Sequence, residues 1–166
     1  MRIMGIDPGF AIVGWGVIEK RGIHCIPVAC GAIRTPAHTK IEERLLTIGS
    51  DLNALIEKYK PEEMAVEELF FTNNITTGIA VAEARGVILA TAAAHKLNIS
   101  EYTPPQVKQA VVGYGKADKR QVIEMVTALL KLPAPPKPDD TADALAVAYC
   151  HAQCVGSRIA QYFNKT

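Results

Sequence analysis

The chain has 166 residues, 49% of them hydrophobic, and a formal net charge of +1 at pH 7. This length and apolar content suffice for one well-buried domain over residues 1–166 and are too small for two domains of ordinary size. The near-zero net charge excludes a protein that is basic throughout, so any nucleic-acid surface must come from an uneven charge distribution. No signal peptide is recognisable at the start, and we expect a cytoplasmic protein.

The first strand provides the first candidate functional residue. Residues 2–9 form an apolar run that ends in Asp7, Pro8 and Gly9. This pattern predicts a buried strand that breaks into a tight turn, with the carboxylate of Asp7 at the strand tip. Burying an acid is costly unless a cation or hydrogen-bond donors meet it, so Asp7 requires a partner.

Two more strands are predicted after this turn. Residues 11–19 are rich in β-branched and aromatic residues and predict a strand antiparallel to the first. Gly14 and Gly16 alternate on one face, where they either keep space open near Asp7 or let a helix pack closely. Residues 23–34 predict a third strand, in which Pro27 indicates an edge position or a bulge.

A helix and a short strand follow in the chain. Apolar residues recur at helical spacing over residues 40–59, which predicts an amphipathic helix that ends at Lys60 and Pro61. Residues 64–67 predict a buried strand that ends in Glu67. Strand, helix and strand in succession imply a right-handed parallel crossover, which places Glu67 near Asp7 if the two strands are neighbours.

Residues 78–94 are the most apolar stretch, but Glu83 and Arg85 near its middle favour a buried helix over a membrane span. We expect this helix to be buried all round, because it is apolar on nearly every face. Since a lone domain leaves one helix face exposed, we expect the second of its two stripes to meet a partner subunit across a twofold axis. The stripes are Ile79, Ala82, Gly86, Leu89 and Ala93, and then Val81, Ala84, Ile88 and Ala92.

The rest of the chain predicts a strand over residues 98–102 and helices over 104–112, 118–132 and from residue 139 or 140 to about 155. We expect Thr103, followed by two prolines, to cap the first of these helices, and Asp139 or Asp140 to cap the last. We expect the tail from residue 156 to be mobile. Basic residues concentrate between Pro104 and Pro138, which makes this segment the candidate nucleic-acid surface. They are Lys108, Lys116, Lys119, Arg120, Lys131 and Lys137, against Asp118 and Glu124.

Four acids at the ends of predicted core elements form the candidate site. Asp7 and Glu67 end strands, whereas Asp140 and Asp143 lie three apart at a helix start and so share a face. Like charges this close repel, and a divalent cation explains them better than the helix N-terminus does. Carboxylates without suitably spaced histidine or cysteine suit magnesium or manganese. Two such ions about 4 Å apart can hydrolyse a phosphodiester.

Each acid also has an ordinary structural interpretation. An aspartate that starts a helix commonly caps it, and Asp7 could accept hydrogen bonds within its own Pro-Gly turn. Spacing alone does not choose between Asp139 and Asp140, because both share a helix face with Asp143. The four cysteines have poor spacing for zinc, and we expect them to be reduced thiols. They are Cys25, Cys30, Cys150 and Cys154.

Five segments, in order and spacing, resemble the RuvC family of Holliday junction resolvases, and the resemblance covers nearly the whole chain. They are Gly5-Ile6-Asp7-Pro8-Gly9 with Gly14-Trp15-Gly16; Val66-Glu67-Glu68-Leu69-Phe70; Ala84-Arg85-Gly86; Gln106-Val107-Lys108-Gln109 through Gly113 and Gly115 to Lys119 and Gln121-Val122; and Asp140-Thr141-Ala142-Asp143-Ala144-Leu145-Ala146. The resemblance implies an α/β, ribonuclease H-like fold. Its five-stranded mixed sheet, with three antiparallel strands followed by parallel ones, is flanked by helices.

The resemblance also implies an activity. Members of the family act as homodimers that nick four-way DNA junctions symmetrically in recombination and repair, with branch-migration motor proteins as partners. It implies that two Mg²⁺ ions per subunit, replaceable by Mn²⁺, bind four acids, and it prefers Glu67 to Glu68 and Asp140 to Asp139. The implied ligands are Asp7, Glu67, Asp140 and Asp143.

For DNA, the family pattern implies that Phe70 stacks on an unpaired base and that Lys108 and Lys119 contact DNA near the scissile phosphates. Lys116 and Arg120 are candidates from the charge distribution. The chain departs from the pattern at Glu68, where a neutral glutamine is common, and at Phe71, which doubles the aromatic.

Two other classes compete with a nuclease. A nucleotide-binding module of the actin-like ATPase class shares the acid, glycine and strand of the first hairpin, but it needs a second lobe for which this chain is too short. A non-catalytic junction-binding protein would not need all four acids.

Overall fold

The computed structural model describes residues 1–69 and 75–155, with the backbone alone for residues 75–77. Five strands and five helices lie in these ranges. The strands are β1 (Arg2–Asp7), β2 (Ile12–Arg21), β3 (His24–Arg34), β4 (Glu63–Glu67) and β5 (Asn98–Tyr102). The helices are α1 (Ile41–Tyr59), α2 (Ile75–Ala94), α3 (Pro104–Val112), α4 (Lys119–Leu129) and α5 (Asp139–Cys154).

The strands form one mixed sheet in the order β3-β2-β1-β4-β5. β1, β2 and β3 pair antiparallel, whereas β4 is parallel to β1 and β5 is parallel to β4. The predicted mixed sheet is therefore confirmed. Pro27 lies on the edge strand β3, opposite Ile18 and next to a register shift at which the pairing skips Val28 of β3, so both features that it indicated are present.

Each face of the sheet has its own hydrophobic core. Met4 and Ile6 of β1 and Met64 and Val66 of β4 belong to the cluster shared with α1 and α2. The alternate residues, including Ile3 and Ala65, belong to the cluster shared with α3, α4 and α5. Because side chains alternate along a strand, Asp7, Glu63 and Glu67 project on the α5 face.

Glycines allow α5 to lie very close to this face. A Cβ built at Gly5 would lie 2.7 Å from the Ala148 amide nitrogen, and one at Gly16 would lie 2.7 Å from Leu145 Cδ2. A Cβ at Gly14 would overlap the carbonyl group of Asp140. Of the two roles predicted for Gly14 and Gly16, close helix packing is confirmed.

The expectation for α2 is wrong for the chain on its own. The stripe expected to meet a partner is largely internal, because Ala84, Ile88 and Ala92 are fully buried in the core. The other stripe is largely exposed, with Ile79 56% exposed. One side of α2 packs on α1 and β5, which leaves the opposite side uncovered. In the described ranges, no helix is long and apolar enough to span a membrane.

The start of α5 also differs from expectation. The N-cap position is Pro138, and no side chain caps the helix, so neither Asp139 nor Asp140 is the cap. The Pro138 carbonyl accepts a 3.0 Å hydrogen bond from the Thr141 N–H. Asp139 and Asp140 therefore lie in the first turn, and their carboxylates remain available for other contacts. The tail from residue 156 lies outside the described residues.

Candidate active site

Asp7 and Glu67 lie at adjacent strand tips. β1 and β4 are parallel neighbours in which Ile6 is opposite Val66, so the acid that follows each of them is opposite the other. The two carboxyl groups lie close enough to influence each other, and the charge of Glu67 contributes to the raised pKa of Asp7 after the effect of burial.

The N-terminal turns of α5 bring Asp140 and Asp143 to the same place. Asp7 is opposite Gly14 in the β1–β2 ladder, and the missing side chain at Gly14 admits the Asp140 backbone. The charges of Asp143 and Asp140 both raise the pKa of Asp7, which shows that the helix acids act on the strand acid. The structure therefore assembles all four acids at one edge of the sheet.

Burial and mutual repulsion perturb the acidities of these groups. Burial, followed by the charges of Glu67, Asp143 and Asp140, raises the pKa of Asp7 to about 8. Burial and the charge of Asp143 raise the pKa of Glu67 to about 7, against the lowering effects of the Asp7 hydrogen bond, Lys108 and Lys119. Burial also raises the pKa of Asp143, although Lys119 opposes it. If all four carboxyl groups were ionised, their negative charge would exceed the positive charge of the neighbouring residues.

Lys119 and Lys108 are the cations of this cluster. Lys119 Nζ lies 3.0 Å from Asp143 Oδ2 and 3.9 Å from Asp139 Oδ2. Burial lowers the pKa of Lys119, but the hydrogen bond and charge of Asp143, with Asp139 and Asp140, outweigh it and raise the pKa overall. Lys108 of α3 lies close enough to lower the pKa of Glu67.

Lys119 is held in place by its own helix start. It is the first residue of α4, and the preceding Asp118 forms a reciprocal capping box with Gln121. The Asp118 side chain accepts from the Gln121 N–H at 2.9 Å, and Gln121 Oε1 accepts from the Asp118 N–H at 2.9 Å. The direct contact of Lys119 with Asp143 was not predicted, although the Asp118 to Gln121 capping signature locates Lys119 at a helix N-terminus.

Two of the other predicted DNA contacts, Lys116 and Arg120, are exposed residues at or just before the start of α4. Arg120 is exposed and forms a 2.8 Å ion pair with Glu124 on its own helix. Lys116 is exposed in the turn that precedes α4. Phe70, with Phe71, lies outside the described residues.

The four acids provide the oxygen ligands that suit a cation, but they are not arranged as a complete set of ligands around one point. Within residues 1–69 and 75–155, no three or more His, Cys, Asp and Glu side chains are grouped so that they could hold a metal ion as they stand. Asp143 forms an ion pair with Lys119 instead. In the described residues, no disulfide joins Cys25, Cys30, Cys150 or Cys154.

A mixed sheet whose central strand tips carry acids, completed by two acids on the last helix, defines a nuclease-type site on a ribonuclease H-like fold. The family model described as "Crossover junction endodeoxyribonuclease RuvC" matches residues 3–151. The chain belongs to this family, which confirms the resemblance seen in its sequence.

Curated relatives and solved structures agree with this assignment. The crossover junction endodeoxyribonuclease RuvC of Heliobacterium modesticaldum is 59% identical over 92% of this chain and 94% of the relative. That of Desulfitobacterium hafniense strain DSM 10664 / DCB-2 is 57% identical over 93% of this chain and 94% of the relative. The structure of Thermus thermophilus RuvC in complex with a Holliday junction substrate is 35% identical, with a TM-score of 0.87 over 92% of this chain and 93% of that one.

Proposed function

We propose that this chain is a structure-selective endonuclease that resolves four-way DNA junctions by two symmetric nicks in recombination and repair. The observation that carries the proposal is the assembly of Asp7, Glu67, Asp140 and Asp143 from three separate elements at one sheet edge. The similarity to a protein solved with a Holliday junction substrate supports this type of DNA substrate. Four assembled acids count against a non-catalytic junction-binding protein.

The cofactor proposal is two Mg²⁺ ions per subunit, held by these four carboxylates, with Mn²⁺ able to replace them. The raised pKa values of Asp7 and Glu67 support it, because burial and the charges of neighbouring acids raise both values and a bound cation would offset that repulsion. Oxygen-only donors fit Mg²⁺ and Mn²⁺ better than zinc. When bound, divalent ions supply electrophilic stabilisation of the phosphate and a metal-activated water.

The protein's own cations have a separate role in this proposal. Lys119 and Lys108 lie beside the acids, so their ammonium groups can bind the phosphate backbone next to the bond to be cut. Exposed Lys116 and Arg120 extend this positive surface along the start of α4. Stacking of Phe70 on an unpaired base stays a prediction from the family pattern.

Symmetric cutting requires two sites, and we propose a homodimer. The exposed stripe of α2, which includes Ile79, Ala82, Gly86 and Ala93, is the candidate contact surface because small residues let two helices approach closely. A twofold axis would then relate the two acid clusters to the two strands of one junction. Branch-migration motor proteins are the proposed partners, on the family pattern alone.

The purified protein should cut a synthetic four-way junction at paired positions with Mg²⁺ and not with a chelator. A linear duplex of the same sequence is the control, and it should be bound less tightly and remain uncut. Equal binding and cutting of both DNAs would contradict junction selectivity. Undiminished cutting with chelator would contradict the cofactor proposal.

A further inference from the structure

A polar network centred on a buried histidine lies on the α5 face of the sheet, away from the acid cluster. His151 of α5 is 2% exposed, and both of its ring nitrogens are in contact with polar side chains. Nδ1 lies 2.8 Å from the Tyr102 hydroxyl, and Nε2 contacts Glu63 Oε2. The network, which we call the Glu63–His151–Tyr102 clamp, joins β4, β5 and α5.

One arrangement of the protons satisfies both ring nitrogens of His151. Burial, followed by the nearby Cys154 and Cys150, raises the pKa of the Tyr102 hydroxyl, so this group keeps its proton and can donate it to Nδ1. The ring proton is then on Nε2, which donates to the Glu63 carboxylate. Every member of the clamp has a hydrogen-bond partner, so removing one member leaves a buried polar group unpaired.

The clamp and the acid cluster lie at two matching points along β4 and α5. Glu63 and Glu67 are four residues apart on one face of β4, which is about 13 Å along a strand. His151 and Asp143 are eight residues apart on α5, which is about 12 Å along a helix. One end of this stretch is therefore held by the clamp, and the other end carries the acids.

Tyr102 connects the clamp directly to the strand tip. It is opposite Glu67 in the β4–β5 ladder, and its carbonyl accepts a 2.8 Å hydrogen bond from the Glu68 N–H. The backbone of Tyr102 thus fixes the exit of β4, while its side chain fixes His151. A shift of α5 along the sheet would break the Tyr102 to His151 hydrogen bond.

Apolar packing alone defines the position of α5 weakly. Its buried face is rich in small side chains, and Ala144 and Ala148 lie against Gly5. Small residues on a glycine surface permit close approach but provide few interlocking side chains, whereas hydrogen bonds are directional. The clamp adds directional contacts from α5 to β4 and β5. Other hydrogen bonds join α5 to the remaining strands, from the Thr141 hydroxyl to the Gly31 carbonyl of β3 and from Lys20 of β2 to the Ala152 and Val155 carbonyls.

We propose that the Glu63–His151–Tyr102 clamp sets the position of α5 on the sheet and thereby aligns Asp140 and Asp143 with Asp7 and Glu67. His151 is a positioning residue in this proposal, because it does not touch the acid cluster. The effect on metal binding and cleavage rests on the proposed function. The effect on the placement of α5 does not.

The test compares Tyr102→Phe with Tyr149→Phe. Both remove one phenolic oxygen, but in the described part of the chain no hydrogen bond of the Tyr149 hydroxyl is found. Amide hydrogen exchange over residues 140–147, taken relative to α1, should accelerate roughly three- to tenfold in Tyr102→Phe and less than about twofold in Tyr149→Phe. Calorimetric titration of the DNA-free proteins with Mg²⁺ should show a roughly three- to tenfold loss of Mg²⁺ affinity in Tyr102→Phe and no such loss in Tyr149→Phe.

A second pair of variants tests the Glu63 arm. Glu63→Gln keeps an oxygen that accepts from Nε2–H, whereas Glu63→Ala removes it, so Glu63→Gln should retain exchange rates and Mg²⁺ affinity closer to the wild-type values. In Glu63→Ala, the kcat of junction cleavage should fall while the KM for the junction stays at the wild-type value, because the lysines proposed to bind DNA are unchanged.

If amide exchange over residues 140–147 kept its wild-type rate in both Tyr102→Phe and Glu63→Ala, the proposal that the clamp positions α5 would be refuted. A lower melting temperature of both variants would not rescue it. If amide exchange accelerated in these variants but their Mg²⁺ affinity stayed unchanged, the proposal that the clamp aligns the acids would be refuted. A wild-type protein that cuts no junction, combined with the predicted exchange changes, would refute the proposed function and leave the clamp supported.

Discussion

The two faces of the sheet are built by the same strands and both carry an apolar core, but the α5 face also carries the acids of the candidate site. In β4, Met64 and Val66 face α1 and α2 and are fully buried in an apolar core. Glu63 and Glu67, on the alternate positions, face α5 and contact His151 and Asp7. One face stabilises the fold with little electrostatic cost, whereas the other buries acids whose raised pKa values record that cost. Substitutions on the two faces should therefore have different consequences.

The largest effect is expected from adding one methyl group on the α5 face. In Gly5→Ala, the new Cβ would lie 2.7 Å from the Ala148 backbone nitrogen, so α5 has to move away from the sheet. We expect a loss of about 3 kcal/mol or more in unfolding free energy, together with loss of cleavage. Denaturant unfolding and junction cleavage measure the two effects. Full cleavage by a well-folded Gly5→Ala protein would contradict the close packing of α5.

A substitution on the opposite face should separate stability from activity. Met64→Ala creates a cavity beneath α1 and α2, where Met64 is fully buried, and should cost about 2–5 kcal/mol. Well below its melting temperature, the folded variant should cut junctions at a rate close to wild type, since no site acid faces this core. A cleavage defect that persists in fully folded protein would show that the two faces are not independent.

The adjacent cations Lys119 and Arg120 allow a finer comparison. Lys119 lies 3.0 Å from Asp143, whereas Arg120 is paired with Glu124 on an exposed surface. Lys119→Ala should slow single-turnover cleavage roughly 10- to 100-fold, because a charged contact next to the reacting phosphate is lost. Arg120→Ala should change it less than about threefold. Equal defects in the two variants would count against a specific role for Lys119.

The smallest effect is a pH dependence of stability without added metal. The pKa values of Asp7 and Glu67 rise from 3.8 and 4.5 to about 8 and about 7 in the fold. Between about pH 4 and pH 8 the folded state binds more protons at these groups, so their contribution to stability is lost as pH rises. The melting temperature should fall over this range in wild type and fall less in Asp7→Asn. An identical slope in both proteins would contradict the raised pKa of Asp7.

Much of the fold follows from local patterns in the sequence. Alternating apolar residues locate the strands, and the acids at the ends of β1 and β4 identify one side of the candidate site. The Thr103 cap, with prolines in the first turn of α3, is present and forms a capping box with Gln106. Such features depend on neighbours in the chain, which is why they are predictable.

Features that depend on distant residues are not predictable in this way. The outward stripe of α2 is decided by where α1 and β5 lie, since both stripes are apolar. The N-cap position expected of Asp139 or Asp140 is occupied by Pro138, because the chain enters α5 through an extended proline, and no side chain caps the helix. The His151 to Glu63 contact joins residues 88 positions apart and has no local signature.

The most direct test of the central claim is junction cleavage by Asp7→Asn, with Asp51→Asn as the matched control. Both variants replace one carboxylate by an amide, but Asp51 is exposed on α1, on the opposite side of the sheet. With Mg²⁺, Asp7→Asn should bind the four-way junction as wild type does and cut it roughly 10³-fold more slowly, while Asp51→Asn should cut normally. Cutting by Asp7→Asn at the wild-type rate would contradict a catalytic role for the acid cluster.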